Sequence, residues 1–161
     1  MARDDQQGRD ETAEERADRH WSDLLQELRV SQTGVQLLAA FLVSLPFQSR
    51  FTDLDAFQQR WYVGVLGLAL LTLGVTLAPV AIHRRVFGGG AKPELVEAAH
   101  VLTGLALGLI ALLLAGVAFL AVDVALGRTE AVVAGCVSLL VLLVLLVGIP
   151  RLVARDADDR V

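Results

Sequence analysis

From Trp21 to Leu45 the chain reads WSDLLQELRVSQTGVQLLAAFLVSL. Its first half is amphipathic. Trp21, Leu24, Leu25 and Leu28 fall at i, i+3, i+4 and i+7, one apolar stripe on a helix. Its second half is apolar almost throughout, with no helix breaker between the two halves. One helix is therefore expected to run from a water-side segment straight into lipid. The apolar part, Val30 to Leu45, is roughly 24 Å long at the α-helical rise, short of a bilayer core of about 30 Å. To cross fully it must carry polar side chains below the headgroups. Ser22, Gln26, Arg29, Thr33, Gln36, Ala40 and Ser44 follow one another at spacings of three or four, a continuous polar-to-small stripe.

Three further apolar runs follow. Of 161 residues, 55% are hydrophobic, above the share usual in soluble domains, and the excess sits in these runs. The expected fold is all-α. It is a four-helix transmembrane bundle with an amphipathic cytoplasmic N-terminal extension of the first helix. The spans are placed at about 30–47, 61–82, 101–122 and 131–149. Residues 1–15 lack the apolar side chains needed to offset ordering entropy and are expected to be a disordered cytoplasmic tail. Residues 16–150 form the membrane domain, and 151–161 a second cytoplasmic tail.

The breakers set the punctuation. Pro46 ends the first span, and Thr52 or Asp53 is expected to cap the second helix. Trp61 and Tyr62 open the second span as an interfacial pair, and Pro79 is expected to kink its end. Pro93, with Glu94 and Glu97 behind it, marks the start of the third helix. Asp123 closes the third span at the outer interface. Gly127 and Thr129 punctuate a tight turn, and Pro150 ends the fourth span. Gly104 and Gly108 form a GxxxG pair suited to close helix packing within or between chains.

Charge gives the orientation. Of 14 basic residues, 11 lie in the N-terminal region, the 83–92 connection and the C-terminal tail. Only Arg50, Arg60 and Arg128 lie on the other side. By the positive-inside rule both termini are cytoplasmic, in a bacterial inner (cytoplasmic) membrane. The net charge of −4 offers no basic face for nucleic acid. Cys136 is the one cysteine, so disulfides within the chain are excluded. No apolar segment preceded by a basic region and followed by a cleavage site precedes the first span, which is expected to remain in the mature protein.

Three signatures carry a resemblance: WSDLLQELRVSQTGVQ at Trp21 to Gln36, APVAIHR at Ala78 to Arg84, and more loosely KPELVEAAH at Lys92 to His100. Over roughly residues 16–126 the chain resembles an uncharacterised family of small four-span membrane proteins from actinobacteria. The resemblance implies the four-span architecture. Some members carry a sodium:proton antiporter label, which puts a transport activity among the expectations.

With this orientation, polar residues converge at the cytoplasmic ends: Glu27, Arg29, Gln32 and Gln36 from the first helix, His83 from the second, and Glu97 and His100 from the third. The plain reading is structural. Glu94 and Glu97 complement a helix dipole, and the two glutamines cross-link helices. A proton or cation path would use Glu97 and His100 as titrating groups, yet no carboxylate lies at mid-span, where coupling sites sit. Glu97 and His100 have the i, i+3 spacing of a di-iron bundle, but the second such pair is missing. His83 and His100 are haem-ligand types at different depths. No P-loop, GxSxG or HExxH motif is present. The expected function is thus non-enzymatic, without metal or cofactor. It is an integral membrane scaffold, accessory or regulatory subunit, whose partners are the bilayer and a second copy or another membrane protein. A small proton- or sodium-coupled transporter and a haem- or metal-binding redox subunit are the alternatives.

Overall fold

A computed structural model describes residues 13–86 and 93–152, with side chains described for Arg19, Gln26 and residues 29–81 and 101–152. Among the described residues the chain is helical, without strands. Four helices, α1 (Ala13–Ser44), α2 (Ala56–Val86), α3 (Pro93–Ala125) and α4 (Arg128–Leu143), account for nearly all of it. Each contains a segment long and apolar enough to cross a membrane: Arg29–Phe47, Ala56–Ala81, Val101–Ala125 and Arg128–Leu152.

The first helix is continuous through the polar-to-apolar join, as its sequence requires. The side chains of the amphipathic stripe, Trp21 to Leu28, lie outside the described residues, as does most of the 1–15 tail. Pro46 stops α1 by opening a short 3₁₀ turn, Leu45–Phe47, and a second one, Ser49–Asp53, leads on. The cap of α2 is Asp55, not Thr52 or Asp53. Its Oδ1 accepts from the backbone N–H of Phe57 (2.7 Å) and of Gln58 (2.8 Å), while Gln58 Oε1 accepts from the Asp55 N–H at 3.0 Å. That reciprocal pattern is a capping box with Gln in the returning position. Thr52 bonds back to Ser49 instead.

At the other hairpin only Leu126 and Gly127 separate α3 from α4. Gly127 has φ +118°, in the region that side chains exclude, and this lets the chain reverse so tightly. Pro150 does not end the fourth helix, which continues through Leu152. The chain accommodates it with a π turn at Val144–Gly148, where the Ile149 N–H reaches back to Val144. A proline cannot donate to the carbonyl four residues earlier and its ring crowds that carbonyl, so a local widening of the helix relieves the conflict.

The buried faces show how the helices meet. On α2 the buried positions are Tyr62, Val65, Ala69, Thr72, Thr76 and Pro79, alternating three and four residues apart. Of these, Tyr62, Val65 and Ala69 share one apolar core with Val35, Ala39 and Leu42 of α1 and Leu113 and Leu120 of α3. A different face of α3, Ala115 and Phe119, receives α4, where a methyl group on Gly135 would lie 3.3 Å from Phe119. In lipid the apolar surface of a helix gains little from leaving the solvent, so this interlocking of small and large side chains carries the association. Extended packing runs from α1 to α2, α2 to α3 and α3 to α4. Among the described residues the extended packing thus follows chain order as a row, with α2 and α3 central and α1 and α4 at its edges.

Three threonine hydroxyls inside the spans are satisfied within their own helices. Thr72 Oγ1 donates to Leu68 and Thr76 Oγ1 to Leu73, both within α2, and Thr33 donates to Arg29 within α1. Side-chain bonds from the aromatic pair at the start of α2 cross to neighbouring helices. Tyr62 Oη donates to the Leu42 carbonyl (3.0 Å) and Trp61 Nε1 to the Gly116 carbonyl (3.0 Å). The pair expected at the interface thus ties α2 to both of its neighbours.

Candidate functional site

The best-defined polar constellation lies where the α1–α2 and α3–α4 connections meet. Asp123 is one helical turn from the end of α3, and its side chain is 2% exposed. Arg128, the first residue of α4, reaches back over the tight turn. Its Nε donates to Asp123 Oδ1 at 2.8 Å, and its Nη2 lies 3.1 Å from Asp55 Oδ2. One guanidinium thus links α4 to the last turn of α3 and to the cap of α2. Asp123 is not an exposed interfacial carboxylate, because the short turn places its counter-ion directly above it. Its second oxygen, Oδ2, is buried and has no hydrogen-bond partner. The hydrogen bonds from the α2 amides, led by that of Gln58, and then the nearby Arg128 hold the Asp55 carboxyl below its ordinary value of 3.8.

An aromatic stack supports this corner. Arg128 lies 3.7 Å above the Phe57 ring, Phe57 stacks on Trp61 at 5.8 Å, and Trp61 meets Phe119 at 4.3 Å. Phe57 and Trp61 are one turn apart on α2, so their rings face the same way. Below the stack, α2 and α4 diverge and leave a groove of about 800 Å³ with α3 as its floor. Its walls are apolar apart from Arg60 near the mouth and the Cys136 thiol.

The sequence-expected cluster at the opposite end is seen only in part. Glu27, His83, Glu97 and His100 sit in helices, but their side chains lie outside the described residues. Of the other members, Arg29 and Gln36 are exposed and Gln32 is half-buried. Among the described residues a methyl group on Gly104 or Gly108 would meet nothing within 4 Å. The close approach on α3 is at Gly116 instead, where a methyl would stand 3.1 Å from Val65. Among the described residues no group of three His, Cys, Asp or Glu side chains is placed to hold a metal.

The Asp123–Arg128–Asp55 constellation carried two signals in the sequence. One is the D-A-F-Q capping box at Asp55. The other is an acid and a base on either side of a Leu-Gly turn. The partners of Trp61 and Tyr62 are backbone carbonyls and left no trace in side-chain identity.

Fold and site together define a helical protein with four helices compatible with membrane spans and an ion-paired corner that locks three of them. The chain belongs to the family of unknown function DUF6328, which matches residues 10–150. Neither the curated proteins nor the solved structures gave a match.

Proposed function

We propose that the protein is a non-enzymatic accessory or scaffold subunit of the membrane, acting through the edges of its helix row. The observation that carries this reading is the open packing order. Among the described residues of α4 only Ala131 is fully buried, so the helix packs on α3 by one face and leaves much of its remaining surface exposed. The locally satisfied hydroxyls of α1 and α2 offer no polar track through the row. The basic residues put both termini and the 83–92 connection in the cytoplasm, and the Asp123 corner on the outer side. Gly104 and Gly108, where an added methyl would meet nothing within 4 Å among the described residues, suit contact with a second chain.

Photo-crosslinkers at Val137 and Leu140 on α4, with Phe41 on α1 as a comparison, test the reading in intact cells. All three side chains are exposed. A discrete adduct with a second copy or with one membrane protein is expected. Adducts with lipid alone from every position would refute it. Reporter fusions at the C-terminus test the orientation, and an outside signal would overturn it.

A second reading, proton- or sodium-coupled transport, rests on the buried Asp123 carboxylate with its unpartnered oxygen. It is tested in proteoliposomes with a pH-sensitive dye under a sodium gradient. Flux that is lost in Asp123→Asn would support it, and flux no greater than that of empty liposomes would end it.

A further inference from the structure

We propose that the groove between α2 and α4 is a glycerophospholipid site. One acyl chain lies along the groove and the headgroup phosphate sits on Arg60. This goes beyond the accessory-subunit reading and does not depend on it.

Shape comes first. The groove follows α2 from Phe57 to Leu68, about 16 Å at the helical rise. Along that length it is walled by Gly64, Leu68, Leu112, Val132 and Leu139, and it holds about 800 Å³. Its polar lining is Arg60, near the start of α2, and the weakly polar thiol of Cys136. A polar ligand buried in the lower part would lose its hydrogen bonds to water and find few replacements. A hydrocarbon chain loses nothing there. Gly64 keeps the wall open, since no atom stands within 4 Å of where its Cβ would be.

Charge selects the head. At this end Arg50 pairs with Asp53, and Arg128 is shared by Asp123 and Asp55. Arg60 differs. Its Nε donates to the Ala56 carbonyl at 2.9 Å, and its terminal nitrogens have no carboxylate partner among the described residues. A fixed cation with two free donors in a plane matches a phosphodiester, which accepts two parallel hydrogen bonds. Arg60 lies about 7.5 Å along the helix from the Asp55 cap, the depth at which an arginine extends its stem through the outermost apolar layer to reach a headgroup. A helix from another protein filling the groove would have to bring its own anion to this position. A phospholipid brings anion and chain already joined.

Tryptophan quenching tests the site in the full-length chain. The protein has two tryptophans, and Trp61 lines the groove. In a Trp21→Phe background Trp61 reports alone. Purified protein in detergent is titrated with phosphatidylglycerol, and separately with diacylglycerol, both brominated on their chains. Saturable quenching by the phospholipid is expected. Arg60→Gln should weaken it roughly tenfold or more, the effect of losing charge-assisted hydrogen bonds, and leave diacylglycerol unchanged. Gly64→Leu, which fills the groove where space is open, should abolish the saturable part for both while circular dichroism stays unchanged. Quenching that rises without saturation would overturn the proposal. So would equal phospholipid affinity in wild type and Arg60→Gln, or saturable quenching that survives Gly64→Leu. Protection of Trp61 from lipid that coincides with disulfide formation between the Cys136 residues of two copies would assign the groove to a second chain and likewise overturn it.

Discussion

Replacing Arg128 with alanine should destabilise the protein far more than removing any other arginine at this end. The structure sets the size of the effect. Exposed ion pairs contribute about 0–1 kcal/mol, whereas removing one partner of a buried pair costs about 3–5 kcal/mol. The Asp123–Arg128 pair falls between these cases, with its acid 2% and its base 41% exposed. The loss also strips the Phe57 ring of its cation, about 0.5–1 kcal/mol at an exposed site. A total of about 2 kcal/mol follows, a factor of about 30 in the folding equilibrium. The source of the cost is the stranded carboxylate, because Asp123 Oδ2 already lacks a partner and Oδ1 would then lack one too. Arg128→Ala should therefore cost about half as much in an Asp123→Asn background, where no buried charge is stranded. Arg50→Ala is the control. Its pair with Asp53 is 3.6 Å long with side chains 91% and 66% exposed, so a change within about 0.5 kcal/mol is expected. Unfolding in detergent followed by Trp61 fluorescence, in the Trp21→Phe background, measures all four variants. Equal costs for Arg128→Ala and Arg50→Ala, or no relief from Asp123→Asn, would refute the reasoning.

Three further outcomes are expected. Gly127→Ala should cost about 1–3 kcal/mol through backbone strain at φ +118°, and Gly116→Ala about 1–3 kcal/mol by pressing on Val65, whereas Gly67→Ala, with open space around it, should change thermal stability little. Tyr62→Phe should cost about 0.6–1 kcal/mol in the same unfolding assay, the worth of one interhelical hydrogen bond to Leu42. The Asp55 cap should show in the pH dependence of stability. Its carboxyl is held below 3.8 in the folded protein, so its contribution is complete above that value and is lost as pH falls through the lower folded value. Asp55→Asn should remove that part of the acid sensitivity, and an unchanged acid profile would count against the cap.

Much of the fold was legible because bilayer thickness forces long apolar runs, and prolines and glycines mark their ends. The four helices follow from that alone. Packing order was less accessible, because the interlocking faces of α3 consist of alanines and leucines that also occur on its exposed faces. The GxxxG pair at Gly104 and Gly108 pointed to a contact surface, yet the close approach of α2 to α3 is at Gly116, about two to three helical turns further on. A motif defines a face that permits close approach, and the rest of the fold decides which permitted face is used. Asp123 was placed at the outer interface because it closes the third span, and its pairing with Arg128 was not visible, since an acid and a base five residues apart do not meet on a straight helix. They meet here because a two-residue turn folds the chain between them. The Asp55 cap was the readable signal passed over, since D-A-F-Q has the capping-box spacing with Gln in the returning position.

The short α3–α4 connection also bears on how the protein enters the membrane. A carboxylate crossing apolar lipid alone costs about 2.5–3.5 kcal/mol at the centre of a helix. Asp123 is followed five residues later in synthesis by the guanidinium that neutralises it. The two helices thus form one hairpin that carries its own counter-ion. Each helix of the row also packs on the one made just before it, so none has to wait for a distant part of the chain or force its way between helices already in place. α4 follows α3 directly, and its first residue closes the ion pair at the corner beside the groove.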